Sequence, residues 1–340
     1  MSNALFQVFK NFTFLLFSFT LMTGVYIAIS SNSWFGVWLG LELNLMSFIP
    51  IILVGSMNSV EVEAGLKYFL VQACGSLVLL QSSLYMSSVS VLSTILVMMA
   101  LSLKMGAAPF HFWFPMVLEG LDWGKVYLLS SLQKVAPLCL TYYWVLISSG
   151  WGLMVVVVFS GVVGALGGVN ELSLRKLLGY SSINHLGWLP LAMIQPGKVW
   201  MEYFSIYILM LLVVVWLFKI NDMHWMGQLV NLNMNIWTRV SIMMSMMSLG
   251  GLPPLLGFLP KWLVIQTLTG SFSSVLVLIL LSTNVVTLFF YLRLSLASLA
   301  GMLRYNEFKS KSISSSEVSS VLVNLSGLGL AGPVLFSLSQ

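Results

Sequence analysis

Runs of apolar residues, each bounded by polar residues, glycine or proline, recur along the whole chain. They cover residues 12–29, 34–54, 62–86, 89–115, 123–147, 151–172, 177–194, 199–218, 238–268, 272–299 and 318–337. Each is near or above the roughly 20 residues that a helix needs to cross a bilayer. The runs are long and do not alternate with period two, so the pattern predicts helices rather than strands. The expected fold class is an all-α polytopic membrane protein with about eleven transmembrane helices, forming a single membrane domain over residues 1–340. The first run lacks the small-residue cleavage site of a signal peptide and is expected to remain as a span. No Arg-rich presequence precedes it, so a mitochondrial version would be expected to be made inside the organelle.

Two predicted helices carry similar interruptions. The fourth contains Gly106-Ala107-Ala108-Pro109 and Pro115. The ninth contains Gly250-Gly251-Leu252-Pro253-Pro254 and Pro260. Proline lacks the backbone donor and clashes with the carbonyl four residues back, so each break is expected to free carbonyls inside the membrane. The broken helices lie five apart, and units with an odd number of helices insert with opposite topology. Two inverted five-helix repeats follow, at about 9–147 and 151–299, with a C-terminal helix at about 318–337, an architecture found in ion transporters. Kinks that serve only packing are the alternative.

Composition sharpens the picture. Hydrophobic residues make up 59% of the 340 and charged residues 7%, against about 25% charged in a soluble domain. A water-soluble globule is excluded. The net charge of +5 is spread thinly, which gives no nucleic-acid footprint. Cys74 and Cys139 are the two cysteines, too few for an iron–sulfur cluster or a zinc tetrad. The three histidines are scattered and no GxGxxG or GxxxxGK[ST] string occurs. No cofactor, metal or nucleotide site is therefore expected. The predicted loops on the N-terminal side hold Lys10, Lys125, Arg175, Lys176, Lys219, Arg239, Arg304, Lys309 and Lys311, and the opposite loops hold Lys198. By the positive-inside rule the N-terminus faces the cytoplasm-equivalent side, and an odd number of crossings puts the C-terminus on the other.

Against this apolar background, four charges fall where helices should be deepest. A central charge costs on the order of 2.5–3.5 kcal/mol on insertion scales. Glu42 lies nine residues past Ser33, and Lys134 nine past Lys125, each about 13 Å deep at 1.5 Å per residue. Lys104 precedes the first helix break and Lys261 follows the second. Around Lys134, the residues Ser130, Gln133, Pro137 and Thr141 recur at helical spacing as one polar stripe. Such a setting suits a proton relay, with structural ion pairing as the alternative. Glu42 and Lys104 are expected to form a switchable ion pair between the second and fourth predicted helices. Lys67 follows Glu63 by four residues, which fits either an interfacial ion pair or a relay. His185, within Tyr180-Ser181-Ser182-Ile183-Asn184-His185, and His111, beside the first break, suit either proton transfer or hydrogen-bonded packing. Arg293 is expected to snorkel to the positive face.

Several blocks resemble a known family. They are Trp38-Leu39-Gly40-Leu41-Glu42-Leu43-Asn44, Lys67-Tyr68-Phe69-Leu70, Lys104-Met105-Gly106-Ala107-Ala108-Pro109-Phe110-His111-Phe112-Trp113, Arg175-Lys176-Leu177-Leu178-Gly179-Tyr180-Ser181-Ser182, His185-Leu186-Gly187-Trp188, and the stretch 249–262 containing Leu252-Pro253-Pro254 and Leu259-Pro260-Lys261-Trp262. Together they are similar to the antiporter-like subunits in the membrane arm of respiratory complex I, NADH:ubiquinone oxidoreductase. The blocks run in order over most of the chain, leaving about the first 30 and last 40 residues with little of the pattern.

The resemblance implies a proton-translocating subunit that couples electron transfer elsewhere in the complex to pumping. It implies Glu42 and Lys104 as the intake-side pair, Lys134 as the central lysine and Lys261 as the exit-side lysine, with Lys67 and His185 as further relay positions. It places FMN, iron–sulfur clusters and ubiquinone in other subunits. The implied partners are a second antiporter-like subunit, a small three-helix subunit and phospholipids such as cardiolipin. The implied location is the mitochondrial inner membrane, with the N-terminus in the matrix and the C-terminus in the intermembrane space. A free-standing cation/proton antiporter and an inert membrane scaffold are the other functions that buried charges of this kind allow.

Overall fold

A computed structural model describes residues 2–54, 58–85, 91–147, 151–194, 197–231, 236–253, 255–268 and 274–305. The expected C-terminal helix at 318–337, Pro254, Lys309 and Lys311 lie outside the described residues, as do the side chains of Lys10 and Arg304. The described chain is all-helical. Six of its helices are long and apolar enough to cross a membrane.

The chain divides into two compact units, Met1–Val156 and Val157–Gln340. The first holds α1 (Ser2–Ser30), α2 (Trp34–Leu53), α3 (Ser59–Leu84), α4 (Val91–Met105), α5 (Trp113–Gly120), α6 (Trp123–Ser130) and α7 (Leu132–Ile147). The boundary falls within α8 (Trp151–Val169). The second continues with α9 (Leu174–Met193), α10 (Val199–Ile220), α11 (Met226–Asn231), α12 (Ile236–Gly250), α13 (Phe258–Leu268) and α14 (Ser274–Tyr305).

Three runs expected as single helices are each two. Residues 89–115 split into α4 and α5, and 238–268 into α12 and α13, at the anticipated Gly/Pro segments. Residues 123–147 split into α6 and α7 at Ser131, which no Gly or Pro announces. The Ser131 hydroxyl and amide both donate to the Tyr127 carbonyl, while the Lys134 amide turns back to Ser131 O at 3.1 Å. Local side-chain hydrogen bonding of this kind competes with the helical ladder and bends it.

Both Gly/Pro breaks begin with the same stop. Gly106 has φ +71° and Gly251 φ +80°, a left-handed conformation in which glycine carries no Cβ penalty. At the first, Gly106 N donates to Leu103 O and Ala107 N to Ser102 O. At the second, Gly251 N donates to Ser248 O and Leu252 N to Met247 O. This is the paired 5→2 and 6→1 pattern that closes a helix C-terminus.

Polarity is distributed for a lipid environment. Phe19, Tyr26, Leu209 and Leu278 are among many large apolar side chains left exposed, while Ser182, Asn184 and His185 are buried. Almost every side chain of α9 is buried. That explains why α9 is not among the six strongly apolar spans: a helix shielded by protein on all sides need not be apolar all round.

Candidate functional site

In the first unit, Lys104 lies in the last turn of α4 with 6% of its surface exposed, and its own carbonyl accepts from Gln72 Nε2 at 3.2 Å. The preceding Leu103 carbonyl accepts from Trp113 Nε1, also at 3.2 Å. Lys104 O thus gains a side-chain donor, and Leu103 O, already bonded by Gly106 N, gains a second, as a hydrocarbon setting favours. Glu42 is half-buried, less than its central position in α2 suggested, because it sits beside the buried Leu41, Leu45 and Phe48 stripe. Glu42 and Lys104 are not an ion pair within 4 Å, unlike the three contacts found among the described residues, Lys67–Glu63, Lys125–Glu61 and Lys125–Asp122. The expected direct pair is therefore not formed in this structure.

Lys134 follows the Ser131 interruption and is 2% exposed, with Nζ 4.9 Å from the centre of the Phe114 ring. A cation over an aromatic face is held by the ring quadrupole. Ser130, Gln133, Pro137 and Thr141 are all buried, so the polar stripe faces inward. Pro137 leaves the Gln133 carbonyl without its helical donor. The Gln133 side chain makes a reciprocal pair with Asn44, Asn44 Nδ2 to Gln133 Oε1 at 2.9 Å and Gln133 Nε2 to Asn44 Oδ1 at 3.1 Å. Tyr68 adds a third bond to Gln133 Oε1 at 3.2 Å. Asn44→Leu leaves part of this buried amide unpaired. It is expected to cost about 1–2 kcal/mol, read as dissociation of the subunit at lower temperature in native gels of heated complex. An unchanged profile would show the amide pair to be dispensable.

In the second unit, Lys261 is 3% exposed in α13. Its Nζ donates to Gly250 O at 2.9 Å, the last carbonyl of α12, and to Asn284 Oδ1 on α14. A cation is favoured there by the negative end of the α12 dipole. Trp188 on α9 lies 6.0 Å away, ring centre to Nζ. His185 Nδ1 is 2.9 Å from Tyr203 Oη, and its ring centre lies 4.8 Å from that of Tyr207. Tyr207 and Tyr291 lie against Ser182 and Ser181.

His111 is buried with Nδ1 3.2 Å from Pro109 O, at the break itself. Lys67 pairs with Glu63 at 2.6 Å on an exposed face of α3, 45% and 65% exposed. Arg293 reaches the Glu171 carbonyl between α8 and α9. Pro109, Gly250, Gly251 and Pro253 lie at or between the helix ends of the two breaks, and Pro260 in the first turn of α13.

Two residues counted as loop charges are not. Arg239 is 2% exposed and donates to Leu229 O and Ser298 O. Lys125 is buried and bonded to Glu61 at 2.6 Å. The expected third span began at Val62, one residue too late to include Glu61. The signal was present: Glu61, Gly65, Tyr68, Gln72, Ser76 and Leu79 follow helical spacing and share the buried face of α3.

The family model for the transmembrane region of NADH:quinone oxidoreductase and Mrp antiporters matches residues 31–93 and 85–287. NADH-ubiquinone oxidoreductase chain 2 of Anopheles gambiae is 41% identical over 332 residues, covering 95% of this chain and 96% of that one. The Locusta migratoria chain of the same name is 38% identical, covering 86% and 87%. Among solved structures, a chain of respiratory complex I from Thermus thermophilus with bound aureothin superposes with a TM-score of 0.79 at 23% identity, covering 96% of this chain and 78% of that one. A chain of the Mrp complex from Dietzia sp. DQ12-45-1b gives 0.69 at 20% identity, covering 81% and 58%. Buried lysines at interrupted helices, a fold shared with both assemblies, and close chain 2 relatives agree: the chain belongs to the chain 2 family of antiporter-like membrane subunits of NADH:ubiquinone oxidoreductase, respiratory complex I.

Proposed function

We propose that this subunit translocates protons through Glu42, Lys104, Lys134 and Lys261, driven by electron transfer in other subunits of the complex. The observation that carries this reading is the placement of three buried lysines. Lys104 and Lys261 flank breaks closed by the same glycine hydrogen-bond pattern, and Lys134 follows the Ser131 interruption. The repeated stop, one per unit, supports two inverted repeats within a single membrane domain. Interrupted helices bring backbone carbonyls and mobile charge to one depth. Moving one charge against the membrane potential needs about 2.3 kcal/mol per 100 mV. A carboxylate 6 Å from a lysine contributes about 3 kcal/mol at an effective dielectric of 20. Swinging one acidic group towards or away from a lysine is thus of the right size to drive a step.

The relatives' chain 2 identity supports a place in the mitochondrial inner membrane. The loop charges support an N-terminus in the matrix and a C-terminus in the intermembrane space. FMN, iron–sulfur clusters and ubiquinone are assigned to other subunits. A second antiporter-like subunit, a small three-helix subunit and cardiolipin are the proposed neighbours. Lys67 and His185 extend the polar axis, with His111 at the first break; the exposed Glu63–Lys67 pair suits a subunit contact as well as a relay.

Intact complex carrying Glu42→Gln, reconstituted in vesicles, tests the reading. Proton uptake per unit time should fall several-fold with assembly retained on native gels, because the half-buried carboxylate of α2 can then no longer carry charge or a proton. Glu42→Asp keeps the charge and should retain part of the activity. Full pumping by assembled Glu42→Gln enzyme would remove Glu42 from the path.

A further inference from the structure

The Glu61–Lys125 pair lies apart from the four residues assigned above. Glu61 Oε2 and Lys125 Nζ are 2.6 Å apart, with side chains 5% and 10% exposed. Lys125 Nζ also donates to Ile52 O at 2.8 Å, an otherwise unbonded carbonyl type in the last turn of α2. On the other side it lies 3.6 Å from Asp122 Oδ2, whose side chain is 63% exposed. One ammonium therefore stands between a buried and an exposed carboxylate, where the end of α2 meets the starts of α3 and α6.

From this point two polar tracks run inward. Along α3 the buried face passes from Glu61 to Tyr68, which bonds Gln133, and to Gln72, which bonds the Lys104 carbonyl. Glu61 to Tyr68 is seven residues, roughly 10 Å of helix. Along α6 and α7 the path from Lys125 to Lys134 is nine residues, roughly 13 Å. The first track ends at the Lys104 backbone carbonyl and the second at Lys134.

We propose that Glu61 and Lys125 form a proton gate at the solvent-facing end of the first unit. This rests on the proton-translocating reading above. Glu61 accepts a proton arriving from water beside Asp122 and becomes a neutral acid. Lys125, still protonated, turns to Asp122. Glu61 then passes its proton inward, through water bridging to Tyr68 and Gln133, and as a carboxylate recloses on Lys125. One proton enters and one leaves, and no electron moves. A purely structural latch would use the same contacts but would never need to open.

Replacing both charges separates the two. A buried pair exchanged for neutral groups is often close to neutral in stability, whereas removing one partner strands a charge. Glu61→Gln combined with Lys125→Gln keeps hydrogen-bonding groups in place. The double variant should assemble normally and pump protons at least about threefold more slowly in vesicles, with Lys134→Met measured alongside. Wild-type pumping by the assembled double variant overturns the gate. If Lys134→Met also pumps normally, the proton-translocating reading itself falls. If Lys134→Met is impaired and the double variant is not, only the gate does. A second measurement uses unmodified complex: a hydrophobic carbodiimide, which attacks protonated carboxyl groups, followed by mass spectrometry. Glu61 should be modified several-fold faster during NADH oxidation than at rest, and equal rates in the two states overturn the proposal.

Discussion

Lys134→Met should cut NADH-driven proton pumping by at least about tenfold, equivalent to about 1.4 kcal/mol on the limiting step. The side chain is 2% exposed and stands over the Phe114 ring. Methionine fills similar volume in the pocket, so assembly on native gels should be nearly normal. The informative companion is Lys134→Arg. Arginine keeps the positive charge but does not release its proton in proteins. If Lys134 serves as a proton carrier, Arg should be as defective as Met. If only a fixed positive charge is needed, Arg should restore pumping. Proton uptake in vesicles, normalised to assembled complex, measures both. Pumping at the wild-type rate by Lys134→Met would remove the residue from the path.

Gly257→Ala should abolish assembly. A Cβ built there would stand 1.7 Å from the Ser248 carbonyl oxygen and 2.8 Å from its carbon. Both neighbours are backbone, so no side-chain rotation relieves the contact. Ser248 O is the acceptor for Gly251 N in the turn that ends α12. Separating the two segments therefore strains the turn that presents Gly250 O to Lys261. The cost should be at least about 3 kcal/mol, seen as loss of the subunit from native complex. Gly197→Ala, with nothing within 4 Å, should behave as wild type. Normal assembly of Gly257→Ala would mean that the backbone at this break can move apart freely.

Much of the membrane architecture was legible because apolar runs of bilayer length are an unambiguous signal, and Gly/Pro segments mark breaks by removing donors. The α6–α7 interruption was not legible. It shows in the backbone, where Lys134 N turns back to Ser131 O, and serines that bond a carbonyl three or four residues back, such as Ser76 and Ser181, recur along this chain without ending a helix, so Ser131 gave no distinguishing signal. The buried lysines stood out as charges in apolar sequence. Glu61 and Lys125 did not, because they lie within a turn or so of helix ends, where charge is ordinarily solvated; α3 merely begins earlier than its apolar run. The distance between Glu42 and Lys104 was equally beyond reach of spacing arguments. Helical depth can put two residues at one level of the membrane without fixing the rotation of either helix.

The burial of α9 also bears on how the protein is made. Its centre carries Ser181, Ser182, Asn184 and His185, a segment that would partition poorly from the ribosomal exit channel into lipid by itself. Its sequence neighbours α8 and α10 are strongly apolar and insert readily. α9 is therefore expected to integrate together with an apolar neighbour that shields its polar centre, rather than as an independent span. Protein-enclosed helices of this kind tie the order of membrane integration to the final packing, so a polar relay can be carried into the bilayer only as part of a group.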